Sequence, residues 1–377
     1  MLTRDLLDLG WTRRIEIPNL DSQASAQDRI RTVAASDFSI LGIPESFNGL
    51  GGKLLDLASA QRALARRDPG VAIALNMHSL SMGLMTDYWE RNKDISWIFL
   101  EAMAERHMLM ASAFAEPGGS VNFMRSRSEA RLDGKNYRVT GTKFPCSLAT
   151  TADLFCMTAT VVDSDETIVV LCPRDAPGVR VEQLWDSIGM RDSDTAKVEV
   201  DNVEIDHRLV LHKGPASEVD GPVITGLVWF TTLAAATYHG VLTTMIDLAC
   251  DALAKKTGPD GDQSSRRVSL LGEAVREAHL LGAFCQRTAT LWQSGELRGD
   301  DALCAAMTLR ASMSDVRDRV AQALTRAVGS SFYTRGHPLS GVAMDSLAVH
   351  HHPPSLLTCD PSIGGYFLGR PINLEAS

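Results

Sequence analysis

Three consecutive histidines near the C-terminus, His350, His351 and His352, are the first candidates for chemistry in this sequence. Histidine changes its charge near neutral pH, so one of them can act as an acid or a base in proton transfer. Three histidines also suggest a metal site. Adjacent residues on a strand, however, point to opposite faces and cannot all reach one ion. We therefore expect one functional histidine, two surface histidines and no bound metal.

His78 and Ser147 are two further candidates, and each has two explanations. His78 lies in Val71–Met85, an almost continuous apolar run that predicts a buried helix. A histidine facing a pocket and a hydrogen-bonded core histidine explain this position equally well. Ser147 follows the run Phe144–Cys146, where a strand is expected to end. Taken alone, Ser147 favours the structural explanation, because such hydroxyls often bond their own backbone.

The elements that must position these residues change in character twice along the chain. Helical spacing of apolar residues gives way after residue 111 to short β-branched runs separated by Asp, Gly and Asn turns, and it returns at Val223. The predicted helices are Asp21–Ala35, Leu54–Arg66, Val71–Met85, Val223–Lys256, Ser269–Ser294 and Asp300–Gly329. The predicted strands are Ser128–Leu132, Tyr137–Thr140, Leu154–Val162, Ile168–Cys172, Val179–Leu184 and Lys197–Val203. Asp133-Gly134 predicts a hairpin between the first two strands, and the polar Trp89–Lys93 reads as a connection.

Bulk properties exclude several classes of protein. The chain has 377 residues, enough for two or three domains, and a net charge of −9 without a long Lys/Arg run, so no nucleic-acid partner is expected. No apolar run approaches the ~20 residues that span a bilayer, and acidic residues interrupt the apolar N-terminus, unlike a signal peptide. The seven cysteines include no CxxC pair. We expect free thiols, no membrane contact and a cytoplasmic location.

Four motifs stand in a fixed order along nearly the whole chain. They are Ile43–Gly52 (IPESFNGLGG), Glu116-Pro117-Gly118 followed by the hairpin and Gly141-Thr142-Lys143, Gly189–Thr195 (GMRDSDT), and Asp201-Asn202-Val203. In this order they resemble the acyl-CoA dehydrogenase superfamily of flavoproteins. The resemblance implies an α+β fold with an N-terminal α-helical domain over residues 1–111, a middle β-barrel-like domain over 112–213 and a C-terminal four-helix bundle over 214–377.

The resemblance also implies a flavin, FAD in the first place and FMN as the alternative. Its ring would lie between two segments, and the hydroxyl of Ser147 would contact flavin N5. The residues assigned to the cofactor are Ala113, Phe114, Ala115, Ser120, Pro145, Cys146, Ser147, Gly329, Ser330 and Ser331. Pro145 replaces a tryptophan of the family dehydrogenases, and the last three residues would approach the flavin phosphates of a neighbouring subunit. A homodimer or homotetramer is therefore expected.

The glutamate that serves family dehydrogenases as catalytic base has no counterpart. No glutamate lies between Leu339 and Leu374, and Trp229-Phe230 stands where an alternative Glu-Arg would be. A subgroup without this glutamate, the two-component flavin monooxygenases, is similar at Phe144–Ser147 and at two points near the C-terminus. Those points are His351-His352-Pro353 and Gly365–Gly369. This resemblance assigns the active-site histidine to His351 and turns His78 towards the flavin.

Three functions remain open. The first is a reduced-flavin- and O₂-dependent hydroxylase of a small organic substrate, with Ser147 at N5 and His351 as acid and base. It allows for a separate flavin reductase as a partner. The second is α,β-desaturation of an acyl-CoA thioester with His351 or Asp360 as an unusual base, and Glu116-Pro117-Gly118 is typical of such enzymes. The third is a flavin-binding scaffold without catalysis. The missing glutamate favours the first.

Overall fold

The structure, a computed structural model, describes residues 5–118, 122–217, 219, 221–257, 265–372 and 374. Helices come first, strands fill the middle and helices return. The helices are α1 (Ala26–Ala34), α2 (Leu54–Ala65), α3 (Pro69–Asn92), α4 (Trp97–Arg106), α5 (Pro222–Thr257), α6 (Ser265–Ser294), α7 (Gly299–Val328), α8 (Pro338–Ser346) and α9 (Leu356–Phe367). The strands are β1 (Met110–Ala113), β2 (Glu129–Asp133), β3 (Asn136–Cys146), β4 (Leu154–Val161), β5 (Glu166–Pro173), β6 (Val179–Glu182), β7 (Ala196–Ile205) and β8 (Val210–Pro215).

Helix α3 positions His78 and has clear signals at both ends. The Asp68 side chain accepts the Val71 N–H at 3.0 Å, and Pro69 occupies the first turn, where its missing N–H costs nothing. Helix α3 ends at Asn92, and Lys93 follows in the left-handed conformation. The prediction of a connection over Trp89–Lys93 was therefore wrong. These residues are polar because the last turn of the helix is exposed to solvent.

The middle of the chain forms one mixed sheet of eight strands. Its order is β6-β7-β3-β2-β4-β5-β8, and β1 pairs with β4 in parallel. The predicted hairpin is confirmed, since β2 and β3 pair in antiparallel register from Glu129↔Thr140 to Asp133↔Asn136. Gly134 takes a positive φ of 62° in its turn. Strands β4 and β5 are buried along most of their length, which explains their nearly unbroken apolar sequence.

Helix α5 is the central element of the C-terminal part. It packs against α2, α3, α6, α7 and α8, and its middle (Ala234, Ala235 and Ala236) is completely buried. Small residues allow helices to approach on several sides. The α+β fold class is confirmed by this order of helices, sheet and helices. The predicted domain boundaries at 111 and 213 fall inside β1 and β8.

Burial connects the three parts into one hydrophobic core. Among the helices that the structure describes, none combines the length and the apolar character required to cross a bilayer. The seven cysteines are all free thiols, and six of them are buried.

Candidate functional site

The two segments assigned to the cofactor ring meet directly. The Phe144 N–H donates to the Ala115 carbonyl at 2.9 Å, which joins the chain after β1 to the end of β3. Ala113 and Cys146 are buried, whereas Phe114, Ala115 and Phe144 are half-buried and Pro145 is exposed. Both segments thus leave the sheet at one corner. We call this corner, residues 113–116 and 144–147, the sheet corner.

Ser147 is held at the sheet corner by a chain of hydroxyl groups. Its Oγ lies 2.8 Å from Thr195 Oγ1, which in turn lies 2.8 Å from Ser193 Oγ. The next residue, Leu148, donates its N–H to the Ser193 carbonyl at 3.2 Å. A hydroxyl offers one donor and two acceptor positions, so the half-buried Ser147 keeps hydrogen-bonding capacity for a ligand.

A buried ion pair stabilises the sheet corner, and the sequence did not reveal it. Lys143 Nζ donates to Glu116 Oε1 and, at 2.7 Å, to the Thr158 carbonyl. The Glu116 side chain is 4% exposed and the Lys143 side chain is 0% exposed. Hydroxyl and backbone donors from Ser126, Arg127 and Ser128 complete the shell around the carboxylate.

This shell fixes the charge of Glu116. Burial alone would raise the pKa of this carboxyl, but the Lys143 ammonium and the hydrogen bonds outweigh burial and hold the pKa at about 2. Glu116 is therefore ionised and fully engaged, so it cannot serve as a general base. A sequence signal existed in the motifs containing Glu116 and Lys143, but nothing in their 27-residue separation shows that they pair.

Aromatic rings connect the sheet corner to α5. The Phe114 and Phe123 rings stack with centroids 4.7 Å apart and an interplanar angle of 23°. Phe123 also lies against Gly226 of α5, where an added Cβ would come within 2.7 Å of Phe123 Cε1. Glycine is required here because the ring fills the place of a side chain. The result is a flat apolar surface between the sheet and α5.

The histidine-bearing tail reaches α5 through His352. Its Nε2 lies 2.6 Å from Tyr238 Oη, and its ring is 5.7 Å from the Phe230 ring in an edge-on arrangement. Arg310 donates from Nε and Nη2 to the His352 carbonyl at 3.0 and 2.6 Å. Burial, followed by the charge of Arg310, lowers the pKa of His352 to about 3. His352 is therefore neutral near pH 7.

His350 and His351 differ from His352 in their surroundings. Both belong to a 3-10 helix, Leu347–His351, and not to a strand as the sequence reasoning assumed. His351 is exposed, and His350 Nε2 lies 3.0 Å from Asp318 Oδ1. Among the described residues, no group of three or more His, Cys, Asp or Glu side chains could hold a metal ion. The role of His351 stays a prediction.

His78 belongs to α3, and its buried side chain lies where α3 packs against β1. Its Nε2 lies 2.9 Å from the Ser39 carbonyl, and its Nδ1 accepts the Met110 N–H at 3.2 Å. Burial lowers its pKa to about 4. Both ring nitrogens thus bond to the backbone, as in a core histidine that aligns β1 with α3. A catalytic role for His78 also stays a prediction.

The remaining predicted residues lie elsewhere. Ser120 is outside the described residues. Gly329, Ser330 and Ser331 belong to a 3-10 helix, Gly329–Tyr333, that follows α7, and Gly329 and Ser330 are exposed. Their predicted contact with the cofactor of a neighbouring subunit cannot occur within one chain and stays a prediction.

The chemistry of the sheet corner fits the ring of a flavin. A tricyclic heteroaromatic ring needs flat apolar contacts and a few donors at its edge. The half-buried Phe114 and Phe123 supply the apolar surface, and the Ser147 hydroxyl supplies a donor at the rim.

Comparisons with known proteins show which proteins this chain is similar to. Residues 111–203 match the family described as acyl-CoA dehydrogenase, middle domain. The isobutylamine N-hydroxylase of Streptomyces viridifaciens is 24% identical and aligns over 95% of this chain and 94% of its own length. The L-evernosamine nitrososynthase of a Micromonospora strain is 28% identical, over 87% and 82%.

A solved structure shares the whole fold. KijD3, in complex with FMN and a dTDP-linked amino-deoxy sugar, superimposes with a TM-score of 0.80 at 23% identity. The match covers 94% of this chain and 89% of KijD3. The middle-domain match, the ordered motifs and the shared fold lead to one conclusion: the chain has an acyl-CoA dehydrogenase-like fold, and its residues 111–203 match the middle domain of that family.

Proposed function

We propose that this protein is a flavin-dependent hydroxylase that converts a small organic amine into a hydroxylamine. The amine, O₂ and a reduced flavin give the hydroxylamine, water and the oxidised flavin, so one oxygen atom enters the product and the other leaves as water. The names of the two relatives, an amine N-hydroxylase and an amino-sugar nitrososynthase, support an amine as the substrate class.

One observation carries the proposal: the His352 imidazole of the tail meets the Tyr238 phenol of α5, and the carboxylates of Asp345 and Glu116 are engaged in other bonds. His352 contacts Tyr238 and Phe230. The Oδ1 atom of the half-buried Asp345 accepts a hydrogen bond from the Met190 N–H at 2.7 Å. Glu116 is sealed in its ion pair. Removing the α-proton of an acyl-CoA requires a base beside the ring, so the desaturase alternative is weaker.

A bound flavin, when reduced, supplies the two electrons that the reaction needs. The KijD3 complex supports FMN and the superfamily supports FAD. Ser147 would hold the edge of the ring by a hydrogen bond, and Phe114 and Phe123 would exclude water from it. Ala113, Ala115, Pro145 and Cys146 would form the rest of the slot.

A neutral histidine suits an amine substrate. The bond to Tyr238 occupies Nε2 of His352 and leaves Nδ1 to bond the substrate nitrogen. Because its pKa is held at about 3, His352 places no positive charge beside an ammonium group. The sequence assigned the acid and base to His351, but His351 is exposed, so we propose His352 for this role and keep His351 as the alternative. His78 is a proposed positioning residue.

The test is product formation under two conditions. Protein, chemically reduced flavin, a primary amine and ¹⁸O₂ should give a hydroxylamine that carries one ¹⁸O atom by mass spectrometry. Without oxygen, acyl-CoA esters should leave the enzyme-bound flavin oxidised. Prompt flavin bleaching by an acyl-CoA, with no labelled hydroxylamine, would overturn the proposal in favour of desaturation.

We further propose the three-domain division at 111 and 213 and assembly into a homodimer or homotetramer. The exposed apolar side chains of the C-terminus support assembly, since Leu357, Phe367 and Leu368 are 80%, 78% and 71% exposed. Light scattering on purified protein gives the oligomer mass.

The free thiols support our proposal of a cytoplasmic location. A separate flavin reductase would supply the reduced flavin.

A further inference from the structure

Helices α3 and α5 meet along a seam that one side chain fills. The Trp229 indole lies flat on Gly83, where an added Cβ would come within 2.3 Å of Trp229 Cε3. One turn further along α3, Asp87 Oδ2 accepts the Trp229 Nε1–H at 2.9 Å. Gly83 and Asp87 thus form a slot that fixes the indole, and Trp229 is only 5% exposed.

A cavity of about 670 Å³ lies on one side of this indole. Trp229 is part of its wall, together with residues from the N-terminal turn, the end of α3 and the α6–α7 corner. These include Pro44, Gly52, Thr86, Asp87, Trp292 and Arg298. None of these residues belongs to the sheet corner or to the histidine-bearing tail.

The proposed active site lies on the other side. Leu84, the neighbour of Gly83, is half-buried and lies against Gly226 with its Cδ2 3.7 Å from the position of an added Cβ. Gly226 also contacts Phe123, whose ring stacks on Phe114 of the sheet corner. Phe230, which follows Trp229, faces the His352 ring. Successive residues of α5 therefore face the cavity and the active site.

We propose that Trp229 sets the upper size of the substrate by separating the active-site pocket from this cavity. The inference rests on the proposed amine hydroxylation. With the indole in its slot, the apolar part of an amine ends at Leu84, Phe123 and α5. Without the indole, the seam between Gly83 and α5 opens and a longer alkyl chain reaches the cavity.

Two linear amines and two variants test this inference. Calorimetric binding of butylamine and octylamine to the flavin-loaded protein should give a higher octylamine-to-butylamine affinity ratio in Trp229→Ala than in the wild type. Each buried methylene contributes about fourfold. The cavity wall carries six charged side chains, so only part of the alkyl chain gains apolar contact, and we expect an increase of roughly tenfold overall. The ratio of the kcat/KM values should shift in the same direction. Trp229→Leu, which leaves a smaller void, serves if the alanine variant does not fold.

Trp292→Ala is the matched control, because it enlarges the same cavity but leaves the seam closed. Its affinity ratio should equal that of the wild type. An unchanged ratio in the Trp229 variants, or an equal increase in Trp292→Ala, overturns the role of Trp229. Amine binding without any hydroxylamine product in the wild type overturns the proposed function instead.

Discussion

Within the described part of the chain, the Ser147 side chain has one hydrogen-bond partner, Thr195, so a substitution of Ser147 perturbs few other contacts. Replacing Ser147 with alanine removes the hydroxyl proposed to bond the flavin ring. Preorganised donors of this kind contribute about 10²–10³-fold to turnover, and we expect a loss of that size. The free energy of unfolding should fall by only about 1 kcal/mol, the contribution of one hydrogen bond. Steady-state turnover and urea unfolding measure the two quantities.

Thr195→Val is the control for this variant. It removes the partner of Ser147 but leaves the hydroxyl itself, so turnover should fall much less than in Ser147→Ala. Equal losses in the two variants would mean that Ser147 acts only by holding the 193–195 segment.

The tail histidines allow a second comparison between neighbouring residues. His352 contacts Tyr238 and Phe230, whereas His351 is exposed. We expect His352→Ala to lower kcat/KM for the amine about 10²-fold, the lower range for positioned proton-transfer groups. His351→Ala should change kcat/KM less than His352→Ala. Steady-state kinetics on both variants decide between them, and the opposite order would support the assignment of His351 from the sequence.

Tyr238→Phe separates chemistry from packing in this comparison. The variant keeps the ring against His352 and removes only the hydroxyl. A loss of turnover in both His352→Ala and Tyr238→Phe, with an unchanged free energy of unfolding, locates the effect in the imidazole–phenol pair.

The sequence alone could locate the tail, but the phase of a 3-10 helix decides which histidine turns inwards. Three identical neighbours carry no pattern that reveals that phase.

At the scale of elements, local patterns predicted what local forces determine. The β2–β3 hairpin follows from a turn that tolerates positive φ, and the long buried helices follow from apolar periodicity. Contacts between distant segments were not predicted. The Glu116–Lys143 pair and the slot of Trp229 on Gly83 join residues from different elements, and each depends on how those elements pack. The end of α3 was misjudged because exposed helical turns and loops have the same polar composition.

The Glu116–Lys143 pair gives a prediction about these elements. Glu116→Gln leaves the Lys143 ammonium buried without its counter-charge, because the Lys143 side chain is 0% exposed. Breaking one side of a buried pair destabilises a protein by about 3–5 kcal/mol. We expect a loss of this size, measured by urea unfolding, because the pair ties the segment after β1 to β3 and to residues 126–128.

The double variant Glu116→Gln with Lys143→Met is the companion measurement. It removes both charges, so much of the lost stability should return, and the cycle gives the coupling energy of the pair. If Glu116→Gln abolished flavin reduction by acyl-CoA at unchanged stability, Glu116 would be a catalytic base and the desaturase reading would regain support.

At the scale of the whole molecule, three hydrogen-bonded histidines, two of them buried and His352 half-buried, join parts that are far apart in the sequence. His78 links α3 to β1, and His352 links the tail to α5. His239 of α5 accepts the Arg62 Nε–H of α2 at 2.8 Å. Burial lowers the pKa of all three, to about 4 for His78, to about 3 for His352 and well below the usual value for His239. The assembled fold therefore requires neutral imidazoles.

This requirement predicts a loss of stability in mild acid. Between pH 7.5 and 5 the unfolded chain binds protons at these histidines and the folded chain does not, so the free energy of unfolding falls as the pH falls. The loss is about 2 kcal/mol at pH 5 for each of His78 and His352, and it begins near pH 6.5.

The pKa of Glu116 is also depressed, but its contribution to stability is lost only below about pH 4.5, outside this window. Raised pKa values at Asp87 and Asp345 act in the opposite sense. Urea unfolding at pH 7.5, 6 and 5 measures the slope. His78→Gln, which cannot titrate, should reduce this slope. A free energy of unfolding that stays constant from pH 7.5 to 5 would show that the folded protein does not keep these imidazoles neutral.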